Sequence, residues 1–121
     1  MVVVVDDDKE FRELVSAVLT GEGFEVGGAA NGADYISVYG TTQEAVLVLD
    51  LLMPRQTGMG LFDFLSQEKP LLPVIMASGH GNALLKVSAD MAKEKGVKVV
   101  ATFTKPLDLT AFKECLAKYG G

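Results

Sequence analysis

The sequence predicts an α/β domain of the doubly wound kind, a five-stranded parallel sheet with helices on both faces. Three observations lead there. Short aliphatic runs without polar alternation, such as Val2-Val3-Val4-Val5 and Ala45 to Leu49, mark strands covered on both faces. Between such runs lie stretches with apolar residues at helical spacing, the clearest being Phe11, Leu14, Val15, Val18 and Leu19. Strands that alternate with helices are joined by right-handed crossovers, which make the strands parallel and lay helices over the sheet.

Taken in order, Val2 to Val5 is the first strand. Asp8 is placed to cap the helix after it, because its carboxylate can accept from the free N–H groups of the first turn. That helix carries the stripe from Phe11 to Leu19, and Gly21 and Gly23 stop it. Phe24 to Val26 reads as a second strand, with a charge at Glu25 that suits a sheet edge. Asn31 to Tyr39 is a weaker helix, and Ala45 to Leu49 is the third strand. Met53-Pro54 and Gly58 punctuate a loop before a helix carrying Leu61, Phe64 and Leu65. Pro73 to Ala77 forms the fourth strand, followed by a helix with Leu84, Val87 and Met91. Val97 to Phe103 is the fifth strand, and Asp108 opens a last helix with Leu109, Phe112 and Leu116 on one face.

Composition narrows the class of function. The 121 residues suit one domain spanning 1–121, and 49% hydrophobic residues supply a normal core, which excludes intrinsic disorder. Eleven Lys and Arg against sixteen Asp and Glu give a net charge of −5. That sign argues against a domain whose own surface grips nucleic-acid phosphates or an anionic membrane. The single cysteine, Cys115, excludes an internal disulfide and a cysteine zinc cluster and fits a reducing compartment, so a cytoplasmic domain is expected. The apolar opening ends in three aspartates and is neither a signal peptide nor a membrane span.

Ligands of such sheets bind outside the carboxyl ends of the strands, near the point where strand order reverses. The polar residues at those ends are Asp6-Asp7-Asp8, Asp50, Ser78 and Thr104-Lys105-Pro106. Converging carboxylates repel one another unless a cation offsets them, and oxygen-only ligands suit a hard ion such as Mg²⁺. A lysine ammonium can hold a further anionic oxygen, and a serine hydroxyl can donate to the same group. An attacking carboxylate, a divalent ion, an ammonium and a hydroxyl together describe a receptacle for a phosphoryl group. Asp8 reads as the helix cap rather than as a ligand. Gly21-Glu22-Gly23 precedes a strand, whereas a nucleotide-binding fingerprint follows one.

Across essentially its whole length the sequence resembles a receiver domain of two-component response regulators. The resemblance is carried by VVVVDDD (2–8), VLVLDLLMP (46–54), PVIMASG (73–79) and FTKP (103–106). It implies a flavodoxin-like sheet of strand order 2-1-3-4-5. It also implies that Asp50 is the phosphoacceptor and that Asp6 and Asp7 hold Mg²⁺ together with Asp50 and the backbone carbonyl of Leu52. Ser78 would follow the phosphoryl group, Lys105 would bond it, and the Lys105–Pro106 bond would be cis. The implied donor is a sensor histidine kinase or phosphotransfer protein. The domain would catalyse its own phosphorylation and dephosphorylation without being an independent metabolic enzyme. Phosphorylation would then shift the surface near the fourth helix and fifth strand toward an output domain, a partner protein or a second copy of the chain.

Two departures from the family pattern stand out. Many receivers carry an aromatic residue three positions before the lysine, but here that position is Thr102, and Phe103 should face the other side of the strand. The segment KEKGVKVVATFTKPLDL (93–109) resembles receivers attached to cyclic-di-GMP phosphodiesterase domains. Leu52 and His80 lie two positions beyond the acceptor and the hydroxyl, where side chains could flank the water that attacks the acyl phosphate. An apolar Leu52 would slow hydrolysis by giving that water no partner. The competing functions are a phosphorylation-independent interaction domain with the same fold and an aspartyl phosphatase. The phosphatase would want a second acid where Leu52 stands. Three aspartates after the first strand count against a bound flavin phosphate.

Overall fold

The computed structural model describes residues 1–50, 59–68, 71–79 and 81–119. Five strands alternate with five helices: β1 (Val2–Val5), α1 (Lys9–Gly21), β2 (Val26–Ala29), α2 (Gly32–Tyr39) and β3 (Val46–Asp50). These are followed by α3 (Met59–Gln67), β4 (Pro73–Ser78), α4 (Asn82–Glu94), β5 (Lys98–Thr104) and α5 (Leu109–Tyr119). All pairings are parallel and the strand order is β2-β1-β3-β4-β5. The expected doubly wound, flavodoxin-like sheet is therefore present.

The four valines of β1 are completely buried because helices cover both faces of the central strands. Val3, Val5, Leu47, Leu49, Val74 and Met76 pack with Tyr35, Leu61, Leu65 and Leu85 from α2, α3 and α4. Val2, Val4, Val46, Val48 and Ile75 pack with Val15, Leu19, Phe112 and Leu116 from α1 and α5. Strand order reverses between β2 and β3 on either side of β1, so the crevice at the tips of β1 and β3 is where a ligand site belongs.

Helix α1 starts as expected, Asp8 Oδ1 accepting from Glu10 N at 2.9 Å and Phe11 N at 3.3 Å. It ends at Gly21, and Gly23 takes the positive φ of 90° that releases the chain toward β2.

Three local expectations are corrected. The second strand is Val26–Ala29 and not Phe24–Val26, because it pairs along the whole of β1, from Val2 opposite Val26 to Val5 opposite Ala29. Phe24 instead joins the partly buried side chains at the α1 and α5 face. The edge position predicted for this strand does hold. Among the described side chains of α4, Leu85, Ala89 and Ala92 are buried while Val87 and Met91 are 57% and 45% exposed; the Leu84 side chain lies outside the described residues. The small alanines bring the helix against β4 and β5, which turns the larger Val87 and Met91 outward. Likewise Leu14 of the α1 stripe is exposed while Val15 and Leu19 are buried.

Strand β5 contains an irregularity that re-aims its side chains. Val74 pairs with Val99 but Ile75 pairs with Ala101, leaving Val100 as the extra residue of a bulge. Past the bulge Ala101 and Phe103 face α5, and the Phe103 ring meets Phe112 edge-on at 5.7 Å. Thr102 is exposed, on the side opposite Phe103 as alternation requires. Among the described residues no helix is long and apolar enough to cross a membrane.

Candidate functional site

Each candidate residue among those described lies where a strand runs out. Asp6 follows β1 directly and is fully buried, whereas Asp7 is exposed. Asp50 is the last residue of β3 and is 6% exposed, and Ser78 ends β4 fully buried. Lys105 follows β5, where the Lys105–Pro106 bond is cis as expected and the lysine N–H donates to the Ser78 carbonyl at 2.8 Å.

The sheet brings the four charges together. One oxygen from each of Asp6, Asp7 and Asp50 lies within 4.8 Å of the others. The Lys105 ammonium donates to Asp6 Oδ2 at 2.6 Å and stands 3.7 Å from Asp50 Oδ1. Within this group three carboxylates face one ammonium, two of the carboxylates are almost fully desolvated, and every available donor is oxygen. That donor set fits a hard divalent cation with one or two retained waters better than it fits a soft metal. Ser78 lies one residue beyond Ala77, the partner of Asp50 in the β3–β4 register, which sets its side chain at the same end of the sheet.

Two neighbours among the described residues adjoin the site, and neither was singled out for it from sequence. Arg12 Nη1 donates to the Asp6 backbone carbonyl at 2.6 Å, tying α1 to the loop that carries the acidic pair. The Asp6 carboxylate also accepts from Asp8 N at 2.9 Å, so both the backbone and the side chain of Asp6 are anchored. Phe11 lies beneath the lysine, with Lys105 Nζ 4.0 Å from its ring centroid. In the sequence Phe11 is one member of an apolar stripe and Arg12 is a polar residue beside it. Only the approach of α1 to the ends of β1 and β5 distinguishes them. Leu52 and His80, both named from sequence, lie outside the described residues, as do Met53, Pro54 and Gly58.

The response regulator receiver domain family matches residues 2–117. The chain belongs to this family. Similar sequences include an NtrX-like response regulator of Rickettsia bellii, 31% identical over 90 residues that make up 73% of this chain. The transcriptional regulatory protein GlrR of Escherichia coli K12 is 32% identical over 114 residues, 94% of this chain. The matches to this chain span 19% and 24% of those two relatives' lengths. Among solved structures, the receiver domain of NtrX from Brucella abortus superposes with a TM-score of 0.81 at 27% identity, covering 98% of this chain and 96% of that one. The chain is thus a receiver domain of the two-component response regulators, similar to those of NtrX- and NtrC-named proteins.

Proposed function

We propose that this receiver domain takes a phosphoryl group onto Asp50 and uses it to switch a partner surface. The observation that carries the reading is the placing of Asp50 within a three-carboxylate cluster, with the Lys105 ammonium 3.7 Å away. The donor would be the phosphohistidine of a sensor histidine kinase or phosphotransfer protein. An Asp50 carboxylate oxygen forms the new P–O bond as the P–N bond breaks, and the imidazole leaves with that bond's electron pair. Asp6, Asp7 and Asp50, with the backbone carbonyl of Leu52, would hold Mg²⁺. The bound ion supplies Lewis-acid stabilisation of charge on the phosphoryl oxygens. Lys105 would hold a second phosphoryl oxygen through its ammonium and Ser78 a third through its hydroxyl. Arg12 keeps the Asp6 backbone fixed during the transfer, which needs the acidic pair already in place.

The reading extends to one domain over residues 1–121, acting in the cytoplasm, with homodimerisation on phosphorylation as one output. The name of GlrR, a transcriptional regulatory protein, favours an output in transcriptional control. The cyclic-di-GMP phosphodiesterase output suggested by residues 93–109 finds no support in the relatives named above.

Intact-protein mass after incubation with acetyl phosphate and Mg²⁺ tests the proposal. We expect one added phosphoryl group that requires Mg²⁺ and is absent from Asp50→Asn. A chain that gains no adduct and also fails to bind beryllofluoride, a stable acyl-phosphate mimic, would instead be a phosphorylation-independent interaction domain. The exposed Thr102 is the observation that favours this second reading, since it leaves β5 without the aromatic side chain through which many receivers report phosphorylation.

A further inference from the structure

The Lys105 ammonium has two kinds of neighbour. On one side are carboxylates, Asp6 Oδ2 at 2.6 Å and Asp50 Oδ1 at 3.7 Å. On the other is the ring of Phe11, whose centroid is 4.0 Å from Nζ, inside the range at which a cation is drawn to an aromatic face. Phe11 is rigidly presented. It stands in the first turn of α1, its backbone N–H accepted by the Asp8 cap at 3.3 Å, and it packs against the core shared by α1 and α5. That packing needs only an apolar side chain, and a leucine would serve it. An ammonium seated over the ring is a separate fact, which the apolar stripe does not require.

We propose that Phe11 is a positioning residue for phosphoryl transfer, its ring face holding the Lys105 ammonium beside the carboxylate cluster. The inference rests on the role given to Lys105 above. Its physical basis is a conflict within the site. Asp6 and Asp50 hold the ammonium now, yet both must give oxygens to other partners, Asp6 to a divalent cation and Asp50 to phosphorus. A lysine that loses its carboxylates has a flexible four-carbon stem and swings its strongly hydrated head into water. Another carboxylate would restrain it but would also repel the incoming phosphoryl oxygens. An aromatic face attracts the ammonium without bringing a net negative charge, so it holds Lys105 through the exchange of the other partners.

The test uses the full chain with Phe11→Leu, Phe11→Tyr, and mono-, di- and trifluorinated phenylalanine at position 11. Fluorination weakens the ring quadrupole stepwise at nearly constant volume, so packing is kept while the attraction is removed. Two quantities are read. The first is the proton shift of the Lys105 ε-methylene without Mg²⁺, and the second is the rate of phosphorylation by acetyl phosphate at fixed Mg²⁺. We expect an upfield ε-methylene shift in the wild type that is lost in Phe11→Leu. We expect rates that fall with each fluorine, by about fivefold in Phe11→Leu, and that stay near wild type in Phe11→Tyr. An unshifted ε-methylene overturns the placement, and rates that are flat across the fluorinated series overturn the role. If the wild type takes no phosphoryl group on Asp50, the role of Lys105 falls and this inference with it. A phosphorylated wild type with a flat series defeats the inference alone.

Discussion

Replacing Lys105 by methionine keeps an unbranched flexible stem and removes the charged head, leaving Asp6 and Asp50 without the ammonium that contacts them at 2.6 and 3.7 Å. Breaking a buried ion pair costs about 3–5 kcal/mol. Here the lysine side chain is 20% exposed and Asp7 opens the cluster to water, so we take about 2 kcal/mol after solvent screening. Unfolding entropy of about 2.1 cal/mol/K per residue over 121 residues turns that loss into a fall in Tm of about 8 °C without Mg²⁺. At saturating Mg²⁺ the deficit should close, because the cation takes over the carboxylates and the ammonium no longer repels it. Linkage then fixes a second number: a difference of about 2 kcal/mol between the two conditions equals a Mg²⁺ affinity roughly 30-fold tighter in Lys105→Met. Melting curves with and without Mg²⁺, together with calorimetric titration of the ion, give both quantities. A Mg²⁺ affinity that is unchanged or weaker in the variant would refute the view that Lys105 and the cation compete for Asp6 and Asp50.

Other consequences are simpler to read. Asp8→Ala should cost about 1 kcal/mol as a lost helix cap and leave Mg²⁺ affinity within about twofold, which titration and melting would separate. Leu85→Ala should destabilise by about 2–3 kcal/mol and Val87→Ser by less than about 0.5 in urea unfolding, because only the former is buried. A Cβ on Gly27 would lie 2.6 Å from the Tyr39 hydroxyl oxygen, so Gly27→Ala should lose about 2 kcal/mol; that loss should shrink in a Tyr39→Ala background, as a double-mutant cycle would show. Burial, reinforced by the Glu44 carboxylate that accepts its hydroxyl, holds the Tyr35 phenol well above the ordinary tyrosine value of 10.0. Folded Tyr35 keeps a proton that the unfolded chain releases, so its stabilising effect is complete below pH 10.0 and declines above it. Tyr35→Phe should therefore lose stability less steeply than wild type between about pH 10 and 11, measured by denaturant midpoints.

Much of this molecule was written in its local patterns. Uninterrupted aliphatic runs can satisfy both faces of a strand only inside a covered parallel sheet, and that sheet places Asp6, Asp50, Ser78 and Lys105 at one end. Those residues could be named without coordinates because strand ends are visible in the sequence and the topology sends every strand end to the same side. Where local reading failed, the deciding interaction lay elsewhere in the chain. The strand read at Phe24 to Val26 lies instead at Val26–Ala29, because β1 offers a full length of backbone partners that draws Gly27 and Gly28 into β2. In α4 two apolar stripes were available, and the approach of the helix to β4 and β5 chose the one with the small alanines. The bulge at Val100 set which side chains of β5 face α5, a matter of pairing with β4 that periodicity within β5 does not contain.

The same division runs through the site. The sequence by itself determined which chemical groups end the strands, because side-chain chemistry and strand periodicity are local properties. The tertiary structure alone decided that Lys105 leans on Asp6, that Phe11 lies beneath it and that Arg12 holds the Asp6 carbonyl. Those contacts join α1 to the ends of β1 and β5, and their distances follow from the packing of helix on sheet, which no window of neighbouring residues records.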